Sequence, residues 1–324
     1  MTISRRPARV QAAVADGKIT NVQARQFPSS DPHSQPDRAG PGDAGAAAGV
    51  TASTDAPDPP AASIVLPRPA GHPGFVHAEP VMGTVVLFDV RDADVPRGAL
   101  ERAIAHLHDV DRRFSTYKPD SEVSRLGRGE LVLDQASPDL RWVMGLFDEL
   151  ARLTDGYFDA HAFRPDGHPD PTGVVKGWAV EDAAFLLLEA GVRDFAVNGG
   201  GDIVTRGSPE PGSQAPWRVG IRHPIERDRL AAVLEVRDGA VATSGTYERG
   251  AHVVDPHTGR PADELLSLTV VGSSLTWADA FATAAFAMGR RGAEWLAARE
   301  GYEAFAITSD GWTLATPGLD RFRA

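Results

Sequence analysis

Residues 242–289 read ATSGTYERGAHVVDPHTGRPADELLSLTVVGSSLTWADAFATAAFAMG. Asp279 and Thr283 lie near the start of an apolar stretch that has the character of a helix and ends at Gly289. Because residues four apart project from one face of a helix, the carboxylate and the hydroxyl point the same way. Hard divalent cations bind such oxygens, and phosphate oxygens fill the remaining positions. The stretch therefore predicts a place where a metal ion and a phosphate compound meet.

The overall composition indicates a folded, acidic protein. The chain has 324 residues, of which 42% are hydrophobic, so it can support a sizeable core. Lys and Arg number 33, whereas Asp and Glu number 44, which gives a net charge of -11. An acidic chain is poorly suited to nucleic acid or to an anionic membrane surface. We expect no nucleic acid partner, and an anionic substrate has to be held by local groups and a metal.

Cysteine usage and the apolar runs exclude further classes. The sequence contains no cysteine, which excludes disulfides, thiol catalysis, cysteine-bound zinc and a lipoprotein anchor cysteine. No apolar run approaches the ~18 residues that a membrane span requires. The residues after Arg5 and Arg6 do not form an apolar segment, so no signal peptide is predicted. We therefore expect a cytoplasmic protein without a membrane span.

Residues 1–75 differ in composition from the rest of the chain. They are rich in Pro, Ala and Gly and contain few aromatic residues. Such a stretch buries too little apolar surface to offset the entropy lost on ordering. We predict a disordered tail over residues 1–75 and one folded domain over residues 76–324.

The folded part alternates strands and helices. Predicted strands lie at 85–90, 195–197, 217–222, 231–236, 266–271, 304–308 and 312–315. Predicted helices lie at 96–111, 138–153, 176–190 and 277–288. Long hairpins mixed with helices favour the α+β class, with a mainly antiparallel sheet core flanked by helices.

Nine short segments follow one another in an order typical of one enzyme family. They are MGT (82–84), FSTYKPDSEVSRL (114–126), TDGYFDAHA (154–162), DPTGVVKGWAVED (170–182), VNGGGDI (197–203), WRVGIRHP (217–224), ATSGTYER (242–249), HVVDPHTGRP (252–261) and WADAFATAAFAMG (277–289). Over about residues 80–318 the chain thereby resembles the ApbE-type FAD:protein FMN transferases, or flavin transferases. The resemblance implies an ApbE-like fold and transfer of FMN from FAD to a Thr or Ser hydroxyl of an acceptor flavoprotein. AMP is then released, and Mg²⁺ offsets the charge of the diphosphate.

The resemblance implies a metal site formed by Asp279, Thr283 and the backbone carbonyl of Gly173. Asp279 and Thr283 match the A-D-x-x-x-T motif of the family. Ala282 stands where some relatives carry a second aspartate, so this site has fewer carboxylates. The alternative is a structural role, with Asp279 near a helix cap and Thr283 packed inside.

The resemblance also implies a set of residues that bind FAD. They are Met82, Tyr117, Tyr157, Phe158, Asp159, Asp170, Lys176, Ser244 and Val254. An aromatic ring such as that of Tyr117 can stack on the isoalloxazine, and Met82 is an adaptable neighbour. Lys176, near the start of a helix, can pair with a phosphate. Core packing remains the alternative for Met82, Tyr117 and Phe158. The alternative for Asp170 is a turn residue before Pro171, and the alternative for Lys176 is a solvated side chain.

His252 is the candidate catalytic base, because an imidazole can accept a proton near neutral pH. A structural histidine is the alternative.

The GGGD run that ends at Asp202 lacks the spacing of a dinucleotide-binding loop, and it is either a turn beside the ligand or a simple turn. Ser244 lacks the G-x-S-x-G context of a nucleophile and is expected in the ligand loop. Asp255 is expected to bond backbone amides in a turn.

Two other functions remain open. The first is a hydrolase in which water attacks FAD and gives free FMN and AMP. The second is a non-enzymatic protein that binds FAD. The chain has no acceptor-like S-G-A-[ST] segment, so we expect the acceptor to be a separate protein.

Overall fold

The structure is a computed structural model that describes residues 63–66, 74–159, 172–226, 228–246 and 253–324, with the backbone of residues 23–26. The strands are β1 (Gln23–Gln26), β2 (Ser63–Val65), β3 (Phe75–Val81), β4 (Thr84–Val90), β5 (Phe195–Gly199), β6 (Asp202–Arg206), β7 (Trp217–Arg222), β8 (Leu230–Val236), β9 (Gly239–Gly245), β10 (Val254–Asp255), β11 (Arg260–Pro261), β12 (Leu265–Gly272), β13 (Glu303–Thr308) and β14 (Trp312–Ala315). The α-helices are α1 (Ala99–Phe114), α2 (Glu122–Gly127), α3 (Pro138–Leu153), α4 (Thr172–Glu189), α5 (Leu275–Ala287) and α6 (Arg291–Ala297). Short 3-10 helices lie at Leu133–Gln135 and Pro317–Phe322.

The described strands form three sheets. The largest has nine strands in the order β1-β14-β13-β12-β9-β6-β5-β4-β3. A second sheet has the order β2-β7-β8, and β10 pairs with β11. All of these pairings are antiparallel. The predicted α+β class, with a mainly antiparallel sheet core and flanking helices, is thereby confirmed.

The nine-stranded sheet buries a different apolar core on each face. On one face the helices cover residues such as Phe88 and Val204, with Phe281 contributed by α5. On the other face the three-stranded sheet packs Ile221 against Ile203. Ile203 and Val204 are neighbours on β6 and enter opposite cores, because successive side chains of a strand point to opposite faces.

Three helices begin elsewhere than the sequence predicted, and one of them is α5, which begins at Leu275 rather than residue 277. Helix α1 begins at Ala99 rather than residue 96, because Gly98 before it has a left-handed φ of 79°. Helix α4 begins at Thr172 rather than residue 176, so Gly173 and Lys176 both lie inside it. Helix α3 follows the prediction, with the Ser137 side chain accepting a hydrogen bond from Leu140 N.

The stretch predicted as a disordered tail contains two short strands in this structure. β1 pairs with β14 at the edge of the large sheet, and β2 pairs with β7. Ser63 on β2 is fully buried. Edge pairing thus forms two short strands within the stretch that was predicted as a tail, despite their Pro-rich surroundings. Apart from Leu66, which directly follows β2, the other residues of 1–73 lie outside the described residues.

No described helix has both the length and the apolar character needed to cross a membrane.

Glu181 on α4 joins the two helices that carry the predicted metal ligands. Its carboxylate accepts hydrogen bonds from Leu275 N at 3.0 Å and from Thr276 N at 3.1 Å. It also accepts from the hydroxyls of Ser274 at 2.9 Å and Thr276 at 2.5 Å. The first N–H groups of a helix have no partner within the helix. Glu181 therefore caps α5 and holds its start against α4.

We expect Glu181→Ala to lower the free energy of unfolding by about 2–3 kcal/mol, because it leaves the first N–H groups of α5 without their charged acceptor. Urea denaturation measures this change. Glu189→Ala, at the exposed end of the same helix, is the matched control and should change stability by less than about 0.5 kcal/mol. Equal losses in both variants would contradict the capping role.

Candidate active site

The candidate site lies at one end of the large sheet. The β3–β4 turn there consists of Met82 and Gly83, whose φ angles of 55° and 70° suit a two-residue hairpin. The β5–β6 turn lies against it, since a Cβ on Gly200 would come within 2.9 Å of the Thr84 hydroxyl oxygen. Met82 is thus at the same sheet end as the glycine-rich turn.

An ion pair joins α4 to the residue that follows this turn. Lys176 Nζ lies 2.6 Å from Oδ2 of Asp202, whose side chain is buried. Oδ1 of the same carboxylate accepts a hydrogen bond from Thr243 N at 3.3 Å. A buried carboxylate is unfavourable unless it is paired, and Lys176 provides the opposite charge. Asp202 therefore links α4 to the end of β9.

The end of β9 in turn contacts α5. Ser244 Oγ lies 3.4 Å from Thr283 Oγ1. One helical turn earlier on α5, the buried Asp279 accepts a hydrogen bond through Oδ2 from Gly177 N at 3.2 Å. Gly177 directly follows Lys176 in α4, so this series of contacts returns to the residue next to the one at which it began. We call the set the contact ring; its members are Lys176, Gly177, Asp202, Thr243, Ser244, Asp279 and Thr283.

Gly173 lies one turn before Gly177 on the same face of α4. In a regular helix the Gly173 carbonyl accepts its hydrogen bond from Gly177 N. That same N–H donates to Asp279, so the carboxylate competes with the carbonyl for one donor. This competition is consistent with the predicted use of the Gly173 carbonyl as a further oxygen ligand.

Phe158 packs beneath the start of α4. Its ring is 5% exposed and stacks on Phe147, with 6.0 Å between ring centroids. A Cβ on Gly173 would lie 3.3 Å from the Phe158 ring. The core-packing alternative therefore describes Phe158 in this structure, and its contact with the candidate site passes through Gly173.

Tyr157 anchors the β10–β11 hairpin, which carries Val254. Its ring meets the ring of His257 edge-on, with 4.5 Å between centroids, and its hydroxyl accepts a hydrogen bond from Arg291. His257 Nε2 also lies 2.9 Å from the carbonyl oxygen of Asp155. These contacts bring Tyr157 and the hairpin of Val254 together on one side of the fold.

The turn predicted at Asp255 is confirmed. Its carboxylate accepts a hydrogen bond from His257 N at 2.9 Å and another from the Thr258 hydroxyl at 3.0 Å. The turn fixes the hairpin that contains Val254.

Tyr117 and Asp159 occupy exposed positions. The Tyr117 side chain is 93% exposed on the loop after α1, so the structure does not pack it against the contact ring. Asp159 is exposed at the end of the described stretch 74–159. Asp170 and His252 lie outside the described residues.

The sequence interpretation did not identify two residues that shape the site, Gly177 and Glu181, and it placed Asp202 only in a turn that was either beside the ligand or a simple turn. In the sequence interpretation Gly177 stood in the first turn of a helix predicted from residue 176. The structure places it in the interior of α4, where glycine is unfavourable and usually has a packing reason. A Cβ at this position would lie 2.9 Å from both Cβ and Oδ2 of Asp279. Asp202 stood within the quoted VNGGGDI segment, but its pairing with Lys176 depends on the tertiary fold.

The oxygens at the candidate site suit a cation that is bound partly by the protein and partly by substrate phosphates. They suit a cation bound by protein side chains alone less well. Within the described residues, no group of three or more His, Cys, Asp or Glu side chains is placed to hold a metal ion. Asp279, Thr283 and the Gly173 carbonyl nevertheless supply hard oxygens. Mg²⁺ commonly uses one or two carboxylates and takes its other ligands from substrate phosphates and water. The donor set therefore fits Mg²⁺ together with a diphosphate.

Fold and site together define an α+β protein with an oxygen-rich site between two helices and a sheet end. A profile of the ApbE family matches residues 82–165 and 163–306. The chain belongs to the ApbE family.

Several curated relatives carry the name FAD:protein FMN transferase. The chain is 33% identical to that of Escherichia coli K12 over 170 residues, which cover 49% of this chain and 48% of the relative. It is 39% identical to that of Rhodobacter capsulatus over 154 residues, or 44% of this chain and 29% of the relative. The matched part thus spans about half or less of the length of these relatives.

Solved structures share the fold over most of the chain. Flavin transferase ApbE from Vibrio cholerae superposes with a TM-score of 0.67 at 25% identity, covering 81% of this chain and 100% of that chain. The ApbE protein of Thermotoga maritima gives a TM-score of 0.66 at 22% identity, with 78% and 99% coverage. The second likeness supports the fold alone.

We expect Gly177→Ala to destabilise the protein by about 1–3 kcal/mol, because the new methyl group would overlap Asp279. Gly145→Ala on α3 is the matched control, since a Cβ there meets nothing within 4 Å. The control should stabilise by about 0.5–1 kcal/mol, as alanine is the better helix former. Urea denaturation of both variants measures the difference, and stabilisation by Gly177→Ala would contradict the close contact.

Proposed function

We propose that this protein transfers FMN from FAD to a threonine or serine hydroxyl of a separate acceptor flavoprotein, with Mg²⁺ dependence and release of AMP. The observation that carries the proposal is the contact ring, which gathers a carboxylate, hydroxyls and an ammonium at one sheet end. The names of the curated relatives and of the Vibrio cholerae structure support the same reaction.

The proposed reaction exchanges the phosphoanhydride bond between the FMN and AMP halves of FAD for a new phosphoester bond on the acceptor. The oxygen of the acceptor hydroxyl bonds to the FMN phosphorus, the bond from that phosphorus to the bridging oxygen breaks, and AMP leaves with that oxygen. Gly173, Asp279 and Thr283 are the proposed Mg²⁺ ligands. When bound, the ion offsets the negative charge of the diphosphate and of the leaving group.

Residues of this chain supply binding and orientation. Asp202 holds the Lys176 ammonium at 2.6 Å, so a fixed positive charge is available near the phosphates. The exposed ring of Tyr117 has its faces available for stacking on the isoalloxazine. The proposed FAD-binding set is Met82, Tyr117, Tyr157, Phe158, Asp159, Asp170, Lys176, Ser244 and Val254.

His252 is the proposed base that accepts the proton of the attacking hydroxyl. In the sequence it stands between Ser244, which contacts Thr283, and Val254 of the β10–β11 hairpin. An imidazole suits this task because its ordinary pKa lies near neutral pH.

Asp279→Ala tests the proposed function most directly. Wild-type protein incubated with FAD, MgCl₂ and an FMN-binding domain bearing an S-G-A-T segment should add one FMN phosphoester to that domain. Loss of a metal ligand removes several kcal/mol of charge stabilisation, so Asp279→Ala should slow transfer at least about a hundredfold. Intact-mass spectrometry of the acceptor and chromatography of AMP measure both products.

Thr283→Ser is the matched control, because it keeps the hydroxyl at the same place, and it should retain most of the activity. Circular dichroism should show that Asp279→Ala remains folded. AMP release by the wild type at the same rate without acceptor would instead indicate the hydrolase. Tight FAD binding with no AMP release under any condition would indicate a binding protein, and full activity of Asp279→Ala would contradict the metal assignment.

A further inference from the structure

Ser63 connects an N-terminal strand to the candidate site. It lies on β2, before the residues that the ApbE family profile matches, and it is 0% exposed. β2 pairs with β7 and also contacts β5, β6 and β9 of the large sheet. A segment outside the family match is therefore buried against the strands that carry the contact ring.

Ser63 lies on the sheet face opposite α4 and α5. Val241 on β9 faces the second core, beneath the three-stranded sheet, whereas Ala242 faces the helices. Thr243 is two residues after Val241, so its side chain points to the same face as Val241. The hydroxyl of Thr243 lies 3.0 Å from Ser63 Oγ on that face.

Ser63 touches both chain segments that frame the site. Through its side chain it contacts Thr243, whose backbone N–H donates to Asp202. Its backbone carbonyl accepts a hydrogen bond from Asn198 Nδ2 at 3.4 Å. Asn198 Oδ1 in turn accepts from Gly201 N at 2.8 Å, within the turn that precedes Asp202. Two hydrogen bonds from one residue therefore reach the glycine-rich turn and the end of β9.

We propose that Ser63 is a positioning residue for FAD binding, acting through Thr243 and Asn198 from the back of the sheet. This inference rests on the proposed function for its kinetic consequence. Thr243 transmits the effect because its hydroxyl lies on one face while its N–H bonds Asp202, the partner of Lys176, on the other. Ser244, the next residue, contacts Thr283.

A purely structural role predicts a different outcome from a positioning role. Thr243 Oγ1 also lies 2.9 Å from Thr269 Oγ1, so loss of the Ser63 hydroxyl leaves Thr243 with a partner. The fold should therefore lose little stability, whereas the hydrogen bond that connects β2 to the end of β9 is removed. If Ser63 positions the site, its loss should change the KM for FAD and the local hydrogen exchange. If its role is only structural, its loss should change only the melting temperature and the active fraction.

The experiment compares Ser63→Ala, Thr243→Val and the double variant in the full-length chain. Ser208→Ala is the matched control: Ser208 is also buried and accepts from Glu210 N at 3.1 Å, but it lies beyond the opposite end of β6. For Ser63→Ala we expect the KM for FAD to rise about tenfold, equivalent to about 1.4 kcal/mol, with kcat changed less than about twofold. Hydrogen exchange should quicken in residues 198–203 and 241–246.

Because Ser63 acts through Thr243, adding Ser63→Ala to Thr243→Val should raise the KM no further. Additive effects in the double variant would overturn the proposed route, and a wild-type KM with wild-type exchange in Ser63→Ala would overturn the positioning role. If the wild type neither binds FAD nor transfers FMN, the proposed function fails separately. The exchange difference between Ser63→Ala and Ser208→Ala then still decides whether Ser63 holds the two segments.

Discussion

The close approach of α4 and α5 is the constraint on which the rest of the site depends. Gly177 lacks a side chain where the helices meet, so its N–H reaches the carboxylate of Asp279. Helix α5 is also rich in small, buried residues. Its fully buried alanines are Ala278, Ala280, Ala282, Ala284 and Ala285. Asp279 is thereby fixed in orientation before any ligand arrives, and Thr283 is fixed with it on the next turn.

The charges at the contact ring suit the anionic substrate of the proposed function, although the chain as a whole is acidic. Asp202 and Asp279 are both buried, and Lys176 pairs with Asp202. Negative charge is therefore in excess among these three groups, which favours a divalent cation beside Asp279. Once a cation is shared with a diphosphate, the net charge of -11 on the whole chain matters less than the local arrangement.

Local patterns in the sequence were enough to predict much of this molecule. The hairpins follow from short apolar runs on either side of turn residues, and the helix of Asp279 and Thr283 follows from a continuous apolar stretch that ends at Gly289. The pairing of Lys176 with Asp202 depends instead on a strand and a helix that are distant in sequence. β2 escaped prediction because three residues carry too little pattern to stand out in a Pro-rich stretch. Gly177 was missed because the predicted helix began only one residue before it, whereas α4 begins at Thr172.

The cap at the start of α5 has a consequence for how this fold handles phosphate. Many nucleotide-binding proteins aim the positive end of a helix dipole at their ligand. Here the carboxylate of Glu181 already occupies that end of α5. In the proposed function, FAD would then be recognised from the flank of the helix, by side chains one and two turns along. The chain thus separates the stabilisation of a helix end from the recognition of an anion, two tasks that a glycine-rich phosphate loop combines.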